Sequence, residues 1–479
     1  MTMNFKQRFL NALAWSAGVK FLSQAVSIAI GIFLARLLVP EDFGLIAMVL
    51  VFTGIAGLLS DVGLGSALVQ RQDLDHTHFV SVFWANVCLG SVLAVILYAA
   101  SAPMAEFYGR FEVEPIVKVL SLSFVIGSIA LVHRQVLVKS LRFKELALAD
   151  FSGMILSGVV AIFFAYRGFG FWALVFQQVI HQFATYFFVT AVSGWKPTLS
   201  FRLSALNELI GFSIFVFFTR LLQYSADRLD KLITGKFLGA DSVGILDKAQ
   251  SMMLFPLQNI SHTIANIMFP ALSSLKGDID RVKDVYLKCI EAIAFLTFPM
   301  MVGMFSVSEN FVLGVLGPHW SELIPVFKIL CFAGVINSIA TVTGSVYLSQ
   351  GASKTQFKVN LFTRPLVIIF VVVGLAWGVE GVASAIVLAA WVSGVFTMTV
   401  MSSLISLKLI SIFRILFPTF LVSIGMGIVL HFSDLLLTFE SYLVALFTQV
   451  FVGIFVYLLF SYVFRISALK LVVDTLRKR

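Results

Sequence analysis

Charged residues are scarce in this 479-residue chain. Asp, Glu, Lys and Arg make up 12% of the sequence, about half of the roughly 25% in soluble domains, whereas apolar residues make up 59%. A soluble fold of this size could not cover so much apolar surface with so few charges. The composition therefore excludes a soluble globular protein, a disordered chain and a coiled coil, and it predicts an all-α polytopic membrane protein.

Cysteines and recognisable catalytic motifs are scarce as well. The three cysteines lie in apolar stretches and predict neither a disulfide framework nor a metal site. The sequence has no G-x-x-x-x-G-K-[ST] loop, no H-E-x-x-H motif and no G-x-S-x-G elbow. We therefore expect no catalytic residues, no bound metal and no cofactor, and ATP hydrolysis by this chain is not expected.

What the chain contains instead is a series of apolar runs of about 20 residues, the length of a membrane-spanning helix. The loops between them are short, which leaves no room for a soluble domain. We predict about fourteen transmembrane helices, over residues 11–34, 43–64, 79–103, 115–133, 148–166, 169–192, 206–228, 242–270, 284–307, 323–348, 356–375, 380–405, 412–431 and 440–463.

Basic residues predict the orientation of these spans. A cytoplasmic N-terminus places 22 of the 34 Lys and Arg residues in cytoplasmic segments and six in outside segments. Because cytoplasmic loops collect Lys and Arg, we predict that both termini are cytoplasmic. The same rule accounts for the net charge of +9, so the basic balance does not indicate a nucleic-acid partner.

The chain also contains an internal repeat. Residues 35–46, ARLLVPEDFGLI, align without a gap to residues 235–246, GKFLGADSVGIL, and the same shift of 200 places Lys20 on Arg220. Six predicted spans separate the copies, so both enter the membrane in one direction, as parallel repeats do in transporters. We therefore predict three parts, namely two six-helix bundles and a pair of extra helices with a basic cytoplasmic tail: residues 1–205, 206–405 and 406–479.

Two polar stripes mark the equivalent first helices of the bundles. One stripe, on a single face of span 1, consists of Ser16, Lys20, Ser23, Gln24 and Ser27. The other, on a single face of span 7, consists of Arg220, Gln223, Tyr224, Asp227 and Lys231. A charge at the bilayer centre is costly and normally faces water or a partner. We interpret the stripes as walls of a cationic cavity that binds an anionic substrate. The alternative is a lattice of salt bridges that only fixes packing.

Further ionisable residues lie in or beside the spans. Lys248 extends the predicted cavity wall on span 8, although it could also neutralise its neighbour Asp247 as a structural pair. Asp61, Asp227 and Asp247 are candidates for H⁺ or Na⁺ coupling, because protonation changes the cost of burying a carboxylate. For Asp61 the alternative is a helix cap or a pair near the interface.

Two loop segments could each bind a ligand, but each also has a simpler explanation. The basic run at residues 134–144 could hold a lipid diphosphate, but the distribution of positive charge across the membrane is the better explanation. The run DLDHTH at residues 73–78 has metal-binding residue types. It is short and lacks cysteine, so a solvated loop is the better interpretation.

Several short runs resemble those of a known family. LVPEDFG at residues 38–44, followed by DVGLG at 61–65, resembles the N-terminal region of polysaccharide exporters in the multidrug/oligosaccharidyl-lipid/polysaccharide flippase superfamily. IMFPAL at 267–272 and LGPHW at 316–320 resemble Wzx-type exporters of its colanic-acid and lipopolysaccharide branch. The resemblance covers nearly the whole chain, although Ala240 stands in the second repeat where the first has Pro40.

The resemblance implies a V-shaped pair of six-helix bundles in the bacterial inner membrane. It also implies flipping of an undecaprenyl-diphosphate-linked oligosaccharide between leaflets, with a cationic cavity at Lys20, Arg220 and Lys248. The implied partners are this substrate, membrane lipids, and the polymerase and glycosyltransferase machinery of polysaccharide synthesis. The rival interpretations are a cation-coupled drug exporter, which would favour an acidic cavity, and a membrane polymerase or acyltransferase, which would need a large outside loop.

Overall fold

The structure is a computed structural model, and it describes residues 5–61, 63–71, 73–275, 277–436 and 439–469. None of these residues forms a β-strand, and nearly all of them are helical. The predicted all-α fold class is therefore confirmed.

The helices follow one another with short connections. The first eight are α1 (Phe5–Leu37), α2 (Pro40–Asp61), α3 (Leu64–Gln70), α4 (His76–Tyr108), α5 (Val113–Lys139), α6 (Phe143–Tyr166), α7 (Phe171–Ser193) and α8 (Leu203–Asn259). The others are α9 (Ser261–Ser274), α10 (Ile279–Ser306), α11 (Ser308–Phe311), α12 (Leu323–Ser349), α13 (Ser353–Gly374), α14 (Gly378–Leu404), α15 (Leu409–Leu436) and α16 (Tyr442–Val463).

Every one of the fourteen predicted spans has a helical counterpart. Within the described residues, ten helical stretches are long and apolar enough to cross a membrane, and one of these, Ser353–Leu404, contains both α13 and α14. The chain is therefore a multi-pass membrane protein. Spans 7 and 8 are separated inside α8 by Gly239, whose backbone is not helical. The part of α8 before Gly239 contains span 7, and the part after it, together with α9, contains span 8.

Both repeats interrupt their helices at the same register position, but the local residues differ. In the first repeat Pro40 begins α2, where its missing N–H is not needed, and the Asp42 carboxylate accepts a hydrogen bond of 3.2 Å from the Val39 N–H. In the second repeat Ala240 replaces the proline and keeps its N–H. Gly239, with a φ of 87° and a ψ of 179°, is not helical, so two helical parts of α8 meet there at a kink.

The chain divides into two compact units, Met1–Gly244 and Ile245–Arg479, called here unit 1 and unit 2. In unit 1, α5 packs against α4 and α7, and α6 packs against α7. In unit 2, α12 packs against α10 and α14, and α13 packs against α14. A shift of about 200 to 210 residues converts the first set of pairs into the second. The division into residues 1–205, 206–405 and 406–479 stays a prediction.

The repeat register is visible inside unit 1 as a reciprocal glycine contact. A Cβ on Gly44 of α2 would overlap the carbonyl oxygen of Ala240, and a Cβ on Gly244 of α8 would overlap the carbonyl oxygen of Pro40. Each of these Cβ atoms would also lie 3.0 Å from the backbone nitrogen of the other glycine. The two repeats therefore cross backbone on backbone at equivalent residues, which only glycine allows.

One predicted loop is a folded segment. Residues 308–322, which connect the predicted spans 284–307 and 323–348, form α11, a π-helical turn at Val312–Leu316 and a 3₁₀ turn at Pro318–Trp320. The Trp320 side chain is completely buried in unit 2, although the sequence places it at a span end. A large aromatic ring gains a favourable free energy when it packs in a protein core.

Candidate functional site

The polar stripe predicted on span 1 lies on α1, within a stretch apolar enough to cross a membrane. Lys20 is exposed and Gln24 is half-buried. Ser23 and Ser27, on the same helix, border a cavity inside unit 1. The position of α1 therefore brings part of the predicted stripe to an open polar space.

This space, called here the unit-1 cavity, has a volume of about 720 Å³. Its walls come from α1, α2, α5, α6 and α7, and the residues on each helix are spaced by one, three or four, so that one face of each helix contributes. Polar side chains form much of the lining. They include Ser60, Ser123, Arg134, Asp150, His181, Gln182, Thr185 and Tyr186.

An ion pair forms one part of the cavity wall. The Arg134 guanidinium donates two hydrogen bonds of 2.8 Å to the two carboxylate oxygens of Asp150, and both side chains are about 40% exposed. This bidentate geometry is the strong form of an arginine–carboxylate contact. The sequence predicted Arg134 only as part of a basic run. In the structure, the carboxylate of Asp150 compensates its charge within the cavity.

Two hydroxyl groups in the wall have no hydrogen-bond partner in the described chain. Ser123 on α5 is 3% exposed, and its Oγ is buried without a partner. Thr185 on α7 also has a buried Oγ1 without a hydrogen-bond partner. A buried hydroxyl without a partner loses its hydrogen bonds to water and gains none in return. These two groups are therefore suited to a ligand that brings its own donors and acceptors.

The predicted residues on α8 are only partly described. Tyr224 is half-buried, its hydroxyl donates a 2.7 Å hydrogen bond to the carbonyl oxygen of Leu50 on α2, and the guanidinium of Arg228 lies 5.6 Å from its ring centre. The tyrosine hydroxyl is therefore engaged within unit 1. The side chains of Arg220, Gln223, Asp227 and Asp61 lie outside the described part of the structure, so their predicted roles stay predictions.

Lys248 and Asp247 belong to unit 2, on the second part of α8. Both side chains are half-buried. The Lys248 ammonium lies 5.6 Å from the centre of the buried Trp320 ring, which is a cation–π arrangement. The predicted cavity role of Lys248 and the predicted coupling role of Asp247 stay predictions.

Residues 73–78, which include residue types that can bind metals, form contacts with other side chains of the chain. His78 is buried, with its Nδ1 2.6 Å from Asp75 Oδ1 and its Nε2 3.4 Å from Glu208 Oε2. The hydrogen bonds from His78 hold the pKa of the Asp75 carboxyl below its usual value. No group of three potential metal ligands occurs among the described residues. This segment anchors the start of α4.

Sequence reasoning did not identify most of the cavity. The missed residues on α7, His181, Gln182, Thr185 and Tyr186, occupy one helical face in an otherwise apolar span. The same helical spacing of polar residues predicted the stripe on span 1, so it could have identified this face as well. Ser123 carried no such signal, because α5 contains several serines and only the packing distinguishes them.

Comparison with known proteins places these features in a family. The family profile described as "Polysaccharide biosynthesis protein" matches residues 33–325. The chain is 25% identical over 447 residues to the lipopolysaccharide biosynthesis protein WzxC of Escherichia coli (strain K12), covering 89% of each chain. It is 26% identical over 387 residues to the teichuronic acid biosynthesis protein TuaB of Bacillus subtilis (strain 168), covering 79% of each.

A solved structure shows the same fold at lower sequence identity. The lipid II flippase MurJ in an inward closed conformation superposes with a TM-score of 0.74 at 15% identity, covering 94% of this chain and 98% of that one. An inward-facing multidrug transporter of the MATE family gives a TM-score of 0.60 at 16% identity, covering 79% and 93%. At these identities the likeness concerns the fold alone.

Proposed function

Because the chain belongs to the polysaccharide biosynthesis protein family, we propose that it moves a lipid-linked oligosaccharide from the cytoplasmic to the outer leaflet of the bacterial inner membrane. The names of its relatives refer to the synthesis of lipopolysaccharide and teichuronic acid. Membrane-bound glycosyltransferases would supply such a substrate, and a polymerase would consume it on the other side.

The unit-1 cavity is the observation that carries this proposal. Hydrocarbon tolerates polar side chains only where they face protein, water or a hydrophilic solute. A polar space of about 720 Å³ among helices of membrane-spanning length is within the usual size range of ligand sites. Such a space supports the passage of a hydrophilic group through the apolar layer, while the lipid tail remains in the bilayer.

The α1 stripe supports an anionic attachment point for that hydrophilic group. Lys20 is an exposed cation within a stretch of membrane-spanning character. A lipid diphosphate carries negative charge that must be compensated away from bulk water, and an ammonium group supplies a charge-assisted hydrogen bond. In the proposed cycle the cavity opens alternately to the two sides of the membrane, and both termini are cytoplasmic.

The energy source is a separate part of the proposal. We retain Asp61, Asp227 and Asp247 as candidates for carrying H⁺ or Na⁺, since a carboxylate at membrane depth is cheaper to bury when neutralised. Substrate diphosphate and these carboxylates would compete for the same cations, which gives coupling a physical route. Without coupling, the same cavity would support facilitated diffusion.

Reconstituted vesicles test the proposal. An undecaprenyl-diphosphate-linked oligosaccharide with a fluorescent sugar label is incorporated, and an impermeant quencher reports the fraction in the outer leaflet over time. We expect protein-dependent movement between leaflets, measured with and without imposed pH and Na⁺ gradients. A rate equal to that of protein-free vesicles under every gradient refutes flipping, and transport of a cationic dye in its place would favour the drug-exporter alternative.

A further inference from the structure

The lining of the unit-1 cavity is close to electrically neutral. Arg134 is its cation, and Asp150 compensates that charge through two hydrogen bonds of 2.8 Å. A diphosphate would need a cation that is available to it, and a cationic drug would need a carboxylate that is available to it. The pairing in the wall favours a neutral hydrophilic occupant over either of them.

The remaining polar groups are suited to a sugar. Serine and threonine hydroxyls and the Gln182 carboxamide each offer both donors and acceptors, which matches the hydroxyl groups of a pyranose ring. The ring of Phe124, also in the wall, offers apolar surface to the C–H face of such a ring. The combination of hydroxyls, an amide and aromatic rings differs from that of a site for a lipid tail or an ion.

The unpartnered hydroxyls of Ser123 and Thr185 are unusual within their own helices. On α5, Ser121 and Ser128 each donate a hydrogen bond to the carbonyl three residues earlier, at 2.7 Å and 2.8 Å. On α7, Thr190 donates to the carbonyl of residue 186 at 2.8 Å. Serine and threonine in helices usually satisfy themselves in this way. Ser123 and Thr185 do not, and both border the cavity.

Two glycines keep the cavity open without being needed for helix packing. A Cβ on Gly57 would meet only Phe124, at 4.0 Å, and a Cβ on Gly127 would meet only Gln182, at 3.7 Å, and both are ordinary contacts. At Gly90, by contrast, a Cβ would lie 2.7 Å from Ser128. Larger side chains at Gly57 and Gly127 would therefore occupy the cavity itself.

We propose that the unit-1 cavity binds the neutral sugar attached directly to the diphosphate, and that Ser123, Gln182 and Thr185 select it through its hydroxyl groups. Ser23 and Ser27 border the cavity on the helix that carries Lys20. At a rise of 1.5 Å per residue they lie about 4.5 Å and 10.5 Å further along its axis. The first sugar is bonded to the diphosphate, so this spacing suits it better than a distant sugar. The inference rests on the proposed flippase function.

The test compares two kinds of variant with matched controls. The pair Ser123→Ala with Thr185→Val removes the hydroxyls at nearly constant volume, and Gly127→Leu fills the cavity. The controls are Ser121→Ala, whose hydroxyl is satisfied within its own helix, and Gly31→Leu, where no heavy atom lies within 4 Å of the position that a Cβ would take. The probes are undecaprenyl diphosphate linked to glucose, galactose or N-acetylglucosamine, and sugar-free undecaprenyl diphosphate.

We expect the hydroxyl pair and the filled variant to raise the half-saturating concentration of the preferred sugar-linked probe by about tenfold or more. The sugar-free probe should respond less than twofold, and so should both controls with every probe. The melting temperature of the Ser123→Ala, Thr185→Val protein in detergent should not fall, because hydroxyls without partners add nothing to stability.

The outcomes separate this inference from the proposed function. If the unmodified protein flips a sugar-linked probe and the hydroxyl pair behaves like Ser121→Ala, the sugar site is refuted while the flippase proposal stands. A fall in the melting temperature of the hydroxyl pair would identify these groups as structural and would also refute the site. If the unmodified protein flips none of the probes, the proposed function fails, and the sugar site with it.

Discussion

Replacement of Gly44 by alanine tests the helix crossing in unit 1 most directly. The new Cβ would overlap the carbonyl oxygen of Ala240 and lie 3.0 Å from the backbone nitrogen of Gly244. Both obstacles are backbone atoms, so no side-chain rotation can relieve the overlap. One helix must move away from the other, and the packing along the crossing must loosen.

The expected size of the effect follows from two opposing contributions. Overpacking typically costs about 1–3 kcal/mol, and a backbone obstacle places Gly44→Ala at the upper end. The higher helix propensity of alanine returns about 1 kcal/mol. The net destabilisation of about 2 kcal/mol corresponds to a fall of about 4–8 °C in the melting temperature for a cooperative unit of this size.

Thermal unfolding of the purified protein in detergent, followed by intrinsic fluorescence, measures this shift. Gly31→Ala on α1 is the matched control, because no heavy atom lies within 4 Å of the position of its Cβ. It should leave the melting temperature unchanged or raise it slightly. If Gly44→Ala and Gly31→Ala have the same melting temperature, the two helices do not cross as described. Gly244→Ala should resemble Gly44→Ala, and the double variant should fall short of additivity, because the two residues share one contact.

Other predictions concern charge, topology and pH. Lys20→Ala should lower flipping by at least about tenfold at normal membrane abundance, because it removes the cation expected to face the diphosphate; unchanged flipping would contradict this. A cysteine at the exposed Ser321, in a chain without its native cysteines, should react with an impermeant maleimide from outside the cell, and labelling only after lysis would overturn the predicted topology. Because His78 lowers the pKa of Asp75, their contact should stabilise the protein above the usual carboxyl pKa and lose this effect as pH falls through the lowered value. Asp75→Asn should accordingly lower the melting temperature at pH 7 but not in strong acid. Asp247→Asn should abolish any acceleration by a pH or Na⁺ gradient if this carboxylate carries the ion, and persistence of the acceleration would exclude it.

The helical fold could be predicted because its signals are local. An apolar run of about 20 residues determines a span without knowledge of its neighbours. The repeat register was also readable, and the reciprocal contact of Gly44 with Gly244 agrees with it. The break inside α8 was also anticipated, because Gly239 lies between the predicted spans 7 and 8. The break between α8 and α9 at Ile260 was not predicted, because the apolar run of span 8 continues across it.

The cavity could not be predicted in the same way, because its properties depend on packing. Ser121, Ser123 and Ser128 lie on one helix and look equivalent in the sequence, yet two of them bond to their own helix and one does not. The compensation of Arg134 by Asp150 is equally invisible, since the two residues lie on different helices. Sequence spacing identifies which residues share a face of one helix, but the partner of that face comes from the tertiary structure.

The separation of charge from hydroxyl groups along α1 connects the two proposals physically. If the cation and the hydroxyls formed one mixed site, the diphosphate would dominate binding, and the attached sugar would contribute little selectivity. Here the cavity compensates its own cation through Asp150, while Lys20 lies one helical turn before Ser23. Discrimination between sugars then depends on hydroxyl groups that stay without partners when the wrong sugar binds, and buried unpaired hydroxyls discriminate strongly. This arrangement lets a common lipid anchor support binding to many substrates, whereas a few neutral side chains decide which sugar passes.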